Sequence, residues 1–209
     1  VDIGHKYAAK ERAALAKLEL VVPGFKVREC KGPDMGHLEL PSGIIPLRNA
    51  ELVLTAAQEP EAGTIMLGVV RDEINSDKSP EFLAAIEQVL SVSWRKQYWT
   101  PGRFFTVQTP ARGYSKAELV AMYIKAKHPL SHLLATVSCY SAADGHCGEC
   151  ASCFKRWVAL ELNHLSQDWH ARPWLSAYAQ KQRLAALDRV YPEHRANEIQ
   201  RAMTSRGAF

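Results

Sequence analysis

Four of the five cysteines in this 209-residue chain fall within 15 residues: Cys139, Cys147, Cys150 and Cys153. The last three follow a C-x2-C-x2-C pattern, and seven residues separate Cys139 from that run. Thiolates are soft ligands that zinc prefers, and four of them complete a tetrahedral shell that leaves no position for water. The spacing therefore predicts one structural Zn²⁺ per chain. Two disulfides and an iron–sulfur cluster are the alternatives that these thiols leave open.

Two basic residues stand where helices are predicted to begin. Arg48 follows a Gly- and Pro-rich stretch, and Lys116 follows Ser115. An arginine can clamp a carboxylate or phosphate with two parallel hydrogen bonds, and helix N-termini add backbone donors for the same anion. Both residues are therefore candidates for anion contacts. The alternative is that they are surface charges and that Asn49 caps its helix.

Several carboxylates follow the strand predicted over 63–70, which contains Gly68. Asp72 comes directly after this strand, and Asp77 and Glu81 lie in the segment NSDKSPEF. Ligands of parallel sheets bind beyond the carboxyl ends of the strands, so these acids could face a ligand crevice. They could equally cap the next turn or helix. Arg156, three residues after Cys153, could pack against the cysteine segment or reach the same crevice.

The elements needed to position these residues alternate between strands and helices. The patterns predict strands over 1–3, 20–30, 63–70 and 104–108, and helices over 6–20, 49–58, 80–91 and 115–126. Such alternation predicts a parallel sheet covered on both faces. After the cysteines the chain is expected to be helical, broken at Pro173 and Pro192. The tryptophans of this tail are interpreted as core or interface anchors.

The composition is that of a mildly basic globular protein, with a formal net charge of +4 and 47% hydrophobic residues. No apolar run approaches the roughly 20 residues needed to cross a bilayer, and no signal peptide is recognisable. We therefore expect a soluble, cytoplasmic protein without a membrane partner. The chain begins at Val1 without an initiator Met, and VDIG is typical of the end of a buried strand, so upstream sequence is expected.

Taken in order, these segments resemble the 7-cyano-7-deazaguanine synthases, the QueC family. The resemblance covers roughly residues 1–156, and the cysteine block is its most specific part. The matching positions are Pro46, Arg48, Asn49, Gly68, Asp72, Asp77, Glu81, Phe82, Thr109, Pro110, Ser115, Lys116, Ser138, Cys139, Tyr140, Cys147, Gly148, Cys150, Cys153 and Arg156. Asn75 stands where the family has tyrosine, and Ile3-Gly4-His5 stands where relatives usually have Tyr-Gly-Gln.

The resemblance implies an α/β fold: a Rossmann-like parallel sheet of the adenine nucleotide alpha-hydrolase (PP-loop ATPase) type, with a C-terminal four-cysteine zinc knuckle and a helical tail. The corresponding domains are 1–138, 139–156 and 157–209. The family's pyrophosphate loop, S-G-G-x-D-S, does not occur in these residues. We expect that loop and the first strand upstream of Val1.

The resemblance also implies a reaction. Such enzymes use ATP with Mg²⁺ and ammonia to convert 7-carboxy-7-deazaguanine into 7-cyano-7-deazaguanine (preQ0), a step of queuosine biosynthesis. By this resemblance Lys116 and Arg48 are expected to be catalytic through anion contacts. The expected substrate-binding residues are Asn49, Asp72, Asp77, Glu81 and Arg156, and the expected nucleotide-binding residues are Gly4, His5 and Gly68.

Two other functions remain compatible with the sequence. A QueC-like paralogue could act on another substrate, in nucleic-acid modification or antiviral defence, and only then is a nucleic-acid or protein partner expected. A non-catalytic, zinc-stabilised binding module is the other alternative. Whichever function holds, the chain could pair as a homodimer, as relatives do.

Overall fold

The structure is a computed structural model that describes residues 1–41, 43–73 and 76–207. It divides into two compact units. The first comprises residues 1–5 and 28–115, and the second comprises residues 6–27 and the described chain from 116 onward. The domain boundaries predicted at 138 and 156 both fall inside the second unit, and they stay predictions.

Eight α-helices and two β-strands are found among the described residues, together with short 3-10 turns. The helices are α1 (Ala8–Val21), α2 (Arg48–Ala57), α3 (Pro80–Ser93), α4 (Lys116–Lys125), α5 (Leu130–Ala135), α6 (Ala151–Glu161), α7 (Ala177–Leu187) and α8 (Glu193–Thr204). The strands are β1 (Thr64–Met66) and β2 (Thr106–Gln108). The 3-10 turns are Gly36–Leu38, Arg71–Glu73, Ser76–Lys78 and Pro173–Leu175. None of the described helices is both long enough and apolar enough to span a membrane.

In the first unit, β1 and β2 pair in parallel, with Ile65 opposite Val107. Both side chains are buried, and they pack with residues of α2 and α3 such as Val53 and Leu90. A further parallel bridge joins Asp2 to Lys31. The mixed fold with a parallel sheet is therefore confirmed, and it is the fold expected of the Rossmann-like family.

The strand predicted over 20–30 is wrong. Leu20 and Val21 complete the last turn of α1, and the chain then turns at Pro23-Gly24. Residues 25–30 carry no strand assignment. The apolar run that suggested a strand is instead the end of a helix, whose alanine- and leucine-rich sequence favours helical extension.

The second unit is built around α6. Phe154, Trp157 and Val158 are buried with residues of α7 and α8, including Ala179 and Met203. Trp169 and Trp174 pack against this cluster, which confirms that the tail tryptophans are core anchors. Pro173 begins a 3-10 turn and Pro192 directly precedes α8, so both prolines lie at the predicted breaks.

Candidate functional site

The four clustered cysteines converge in the second unit. The Sγ atoms of Cys139, Cys147, Cys150 and Cys153 all lie within 4.8 Å of one another. Zinc–sulfur bonds of about 2.3 Å in a tetrahedron place the sulfurs about 3.8 Å apart. The Sγ atoms of Cys147 and Cys153 are 3.8 Å apart, and all five cysteines are free thiols. The four residues therefore fit a metal such as zinc, and they do not form the two alternative disulfides.

Backbone N–H groups surround these sulfurs. The Sγ of Cys139 accepts from the N–H groups of Ser141 and Cys147 at 3.3 and 3.4 Å, and the Sγ of Cys147 accepts from Glu149 at 3.4 Å. Such donors stabilise negative charge on sulfur. A hydrogen bond from the Cys153 thiol lowers the pKa of Cys150 to about 4, and the same bond raises the pKa of Cys153. These interactions stabilise one thiolate charge, at Cys150.

Gly148 shapes the loop between the cysteines, and we call residues 139–153 the cysteine knuckle. Its φ is +80°, and a Cβ there would collide with the carbonyl oxygen of Ala171. The N–H of Ala171 donates to Cys147 O at 3.0 Å, and the N–H of His170 donates to His146 O at 2.9 Å. The tail therefore folds back onto the knuckle at a distance that only a glycine permits.

His146 lies in the same loop, and its ring meets Trp169 edge-on with centroids 5.4 Å apart. Burial lowers the pKa of His146 to about 4, and the charges of Arg156 and Lys10 act in the same direction. The imidazole is therefore neutral near pH 7. It contributes to the packing of the knuckle without adding charge beside the thiolates.

Helix α6 links the knuckle to Arg156. Cys150 caps the helix, since its Sγ accepts from the N–H of Cys153, and Arg156 lies one turn further on. The guanidinium donates to Gln167 Oε1 and Thr136 Oγ1, each at 2.7 Å, and to Leu133 O at 3.1 Å. Burial lowers the pKa of Arg156 to about 10, which leaves it charged at neutral pH.

Within the described chain, no carboxylate contacts the Arg156 guanidinium, and its three hydrogen bonds all go to neutral oxygens. The charge of Cys153 raises the pKa of this guanidinium, but less than burial lowers it, and a half-buried arginine without a carboxylate partner is unusual because charges withdrawn from water are generally paired. Two of its five N–H groups make no hydrogen bond within the described chain. This side chain is therefore a candidate binding site for an anion.

Arg156 lines a cleft of about 240 Å³ together with Lys116, the first residue of α4. Thr136 and Ser138 contribute to the same wall, and Leu119 and Val120 provide apolar surface. The buried Ser138 Oγ has no hydrogen-bond partner among the described residues. Two residues predicted separately are thus brought together: the expected catalytic Lys116 and the expected substrate contact Arg156. Their roles stay predictions, but two cations and an unsatisfied hydroxyl suit an oxyanion.

In the first unit, α2 begins at Arg48, as predicted. The residue before it, Leu47, is in the left-handed region with φ 61° and caps the helix, so the alternative in which Asn49 is the cap is wrong. Asn49 is instead buried, and its Nδ2 donates to Asp77 O at 3.3 Å. This bond joins two of the predicted substrate-binding residues, although through the backbone of Asp77.

The remaining predicted residues occupy varied settings. Glu81 is exposed in the first turn of α3, where hydrogen bonds from its own backbone N–H and from Ser79 lower its pKa. Gly68 follows β1 with open space where a Cβ would lie, so a ligand could approach its backbone. His5 is buried, and the Gly4 N–H donates to Asp2 Oδ1 at 3.0 Å. The side chain of Asp72 lies outside the described residues.

Sequence reasoning missed the residues that hold Arg156. Thr136 and Leu133 precede the first cysteine, and Gln167 lies in the tail, for which no role was predicted. Polar residues near a buried arginine are a general expectation, but nothing in the spacing identifies these three. Among the other residues of the cleft, Ser138 could be identified from the sequence, because it belongs to the S-C-Y segment on which the resemblance rested.

Comparison with known proteins adds independent information. The family described as queuosine biosynthesis protein QueC matches residues 8–164. Three relatives are each named 7-cyano-7-deazaguanine synthase. The protein of Methanosphaerula palustris is 30% identical over 132 residues, that of Acidobacterium capsulatum 30% over 128, and that of Koribacter versatilis 29% over 187. No solved structure matches.

The matched regions cover different shares of the proteins compared. They include 61%, 59% and 77% of this chain in the order just given. They include 56%, 52% and 75% of the three relatives. The chain therefore spans about half the length of the first two curated relatives, and their names describe longer polypeptides.

Proposed function

This chain belongs to the QueC family of queuosine biosynthesis proteins, and we propose that it takes part in the synthesis of 7-cyano-7-deazaguanine. The substrate would be 7-carboxy-7-deazaguanine, with ATP and Mg²⁺ as cosubstrate and ammonia as the nitrogen donor. The observation that carries the proposal is the cleft in which Arg156 and Lys116 meet beside the cysteine knuckle. Family membership supports the same reaction.

The proposed chemistry has two activations. The substrate carboxylate attacks the α-phosphorus of ATP, which forms an acyl adenylate and releases pyrophosphate. Ammonia attacks the acyl carbon, AMP leaves, and the product is a primary amide after loss of a proton. The amide oxygen then attacks a second ATP and releases a second pyrophosphate. Loss of AMP and of both N–H protons from the adenylated amide leaves the nitrile.

The residues of the cleft suit the anionic groups of this sequence. Arg156 presents a planar fork that matches the paired oxygens of a phosphate or carboxylate, and its low exposure strengthens the attraction. Lys116 adds a second charge at the start of α4. The Ser138 hydroxyl, which is unsatisfied among the described residues, can donate to the same oxyanion. Preorganised donors of this kind stabilise charge that develops in a transition state.

The metal would have a structural role in this scheme. Four thiolates leave no coordination site for substrate, so zinc bound by the cysteine knuckle would stabilise the loop and the start of α6. Arg48 of the first unit is proposed as a catalytic anion contact. Asn49 and Glu81 are proposed as substrate contacts, and Asp72 and Asp77 as acceptors for the amine and ring N–H donors of the substrate. Gly4, His5 and Gly68 are proposed to contact the nucleotide.

The test is direct. Protein purified from its native open reading frame is incubated with 7-carboxy-7-deazaguanine, ATP, Mg²⁺ and ammonium, and the nitrile is sought by mass spectrometry. A nitrile that forms only with ATP supports the proposal. Folded, zinc-loaded protein that forms none would refute it and favour a paralogue with another substrate or a binding module.

Three variants test whether the residues of the cleft take part in the proposed reaction. Lys116→Gln and Arg156→Lys should each reduce kcat/KM by about 100-fold, since removing a transition-state donor typically has effects of this order. Lys125→Gln, at the exposed end of the same helix α4, is the matched control and should change kcat/KM less than about twofold. Zinc content and circular dichroism establish that each variant is folded. Equal activity of all three variants would remove the cleft from the proposed mechanism.

A further inference from the structure

The segment between α3 and β2 forms a short hairpin whose tip carries two large aromatic residues. Gln97 and Thr100 exchange backbone hydrogen bonds of 3.0 and 3.3 Å, so Tyr98 and Trp99 form a two-residue loop. The N–H of Arg103 donates to Trp94 O at 2.9 Å, which continues the same register. We call residues 94–104 the aromatic hairpin.

Turn formation does not explain these aromatics. Two-residue hairpin loops favour Gly, Asn and Asp, which tolerate the backbone angles of tight turns. Tyr98 is 100% exposed and Trp99 is 68% exposed, so neither ring contributes to a core. Phe104, at the base of the hairpin, is 96% exposed. Three large rings that face water and assist neither turn nor core point to a contact with another molecule.

Contacts of Arg103 with other residues of the first unit hold the hairpin in place. The Arg103 guanidinium lies over the rings of Trp94 and Phe105, 4.6 and 4.7 Å from their centroids. It also donates to the carbonyl oxygens of Ala57 and Ala62 at 2.9 and 2.7 Å. Gly102, with φ +81°, allows the two arms to approach, because a Cβ there would lie 2.7 Å from Lys96 N. The contacts of Arg103 and the close approach of the two arms therefore fix the backbone that carries the exposed rings.

The charged residues of the hairpin itself are all basic: Arg95, Lys96 and Arg103. Arg95 and Lys96 are exposed, and neither makes a side-chain hydrogen bond or ion pair within the described part of the chain. No Asp or Glu occurs in the sequence between Glu87 and Glu118. Exposed aromatic rings accompanied by unpaired cations are the pattern that binds single-stranded nucleic acids, where bases stack on rings and phosphates meet Lys and Arg.

We propose that the aromatic hairpin binds single-stranded polynucleotide, with bases stacked on Tyr98 and Trp99 and backbone phosphates near Arg95 and Lys96. This surface shares no residue with the set proposed for nitrile synthesis. Neither proposal depends on the other, so nitrile formation from the free base should be unchanged when the rings are removed.

The test uses fluorescence anisotropy with labelled twelve-nucleotide oligouridine and oligothymidine and with a duplex of the same length. We expect saturable binding of the single strands and weaker binding of the duplex, whose bases are already stacked; the two single strands distinguish RNA from DNA as the preferred polymer. Tyr98→Ala and Trp99→Ala should each weaken binding by about tenfold or more, in line with the stacking contribution of one base. Tyr98→Phe keeps the ring and should bind as the native protein does.

The charges are tested separately. Phosphate contacts to a single strand contribute a slope of about −0.7 each in a plot of log K against log salt. Removing two cations with Arg95→Gln and Lys96→Gln should therefore flatten the slope by about 1.4. A double variant of two exposed lysines of the second unit, Lys17→Gln and Lys125→Gln, is the charge-matched control and should leave the slope nearly unchanged.

Two results would overturn the proposal. One is binding that is absent, or that persists unchanged in the Tyr98→Ala, Trp99→Ala double variant. The other is a change of oligomeric mass in that double variant, measured by sedimentation, because the hairpin would then be an interface between two copies of this chain.

Discussion

Replacing Gly148 with alanine should disturb the cysteine knuckle more than any comparable change in its loop. The left-handed backbone at φ +80° costs an alanine about 1–2 kcal/mol. The new Cβ would also collide with Ala171 O, so the neighbouring segment must move. That movement breaks the hydrogen bonds from Ala171 N–H and His170 N–H to the knuckle, each contributing about 1 kcal/mol. We expect the free energy of unfolding to fall by about 3 kcal/mol.

The chain offers a control that separates the cost of the left-handed backbone from the cost of the collision with Ala171. Gly24, in the same unit, has φ +75°, but a Cβ there would meet nothing within 4 Å. Gly24→Ala therefore measures the backbone cost alone, about 1 kcal/mol after the loss of unfolded-state entropy is included. Chemical unfolding of the zinc-loaded proteins gives both values. Competition with a chromogenic chelator then shows whether Gly148→Ala also releases the metal more readily, as expected.

If the Gly148→Ala and Gly24→Ala variants are destabilised equally and hold zinc equally well, the collision with Ala171 adds no cost and the prediction is wrong. The contact between the tail and the knuckle would then be soft enough to accept a methyl group. It would no longer explain why a glycine stands between Cys147 and Cys150.

Three further predictions concern the second unit. Cys147→Ser should abolish zinc binding and destabilise the protein by at least about 2 kcal/mol, whereas Cys30→Ser, outside the cluster, should retain one zinc per chain; atomic absorption and thermal unfolding measure both. Glu161 accepts from Arg206 at 2.6 Å, and although burial raises its pKa, the bonds from Arg206 and Ser205 lower it overall. A double-mutant cycle of Glu161→Gln and Arg206→Gln should give a coupling of about 1 kcal/mol at pH 7, present above the carboxyl's unfolded pKa and lost as the pH falls through its lower folded pKa; zero coupling at pH 7 would contradict it. Chelation should increase hydrogen exchange in the cysteine knuckle far more than in the second half of α6, which the tail helices cover; equal increases would contradict this.

The helices could be predicted well because their ends carry local signals. Ser79 accepts from Phe82 N–H and Pro80 occupies the first turn of α3, close to the start predicted for this helix. The strands were predicted less well, since their length depends on neighbours. The predicted strand over 63–70 shortens to Thr64–Met66, because only those residues pair with β2. The apolar end of α1 shows the same limit, since a short apolar run fits a strand or a helix equally well.

The metal cluster was predictable because its ligands are close in sequence and their chemistry is distinctive. The surroundings of Arg156 were not, because its partners come from α5, the residue that follows α5, and the tail. The aromatic hairpin shows a different limit. Its residues are visible in the sequence, but only the structure shows that the rings at its tip are exposed while Trp94 and Phe105 enclose Arg103.

Helix α6 provides a route by which a metal with no open position would affect the proposed chemistry. Cys150 and Cys153 lie at its start, and Arg156 follows within one turn, so the metal-binding end and the cleft share one rigid element. The far side of the helix is fixed by Phe154 and Trp157 in the apolar core. A helix held at one end by thiolates and along one face by packing has little freedom to rotate. The Arg156 fork is therefore held in a fixed direction toward the cleft, which is what preorganised binding of an anion requires.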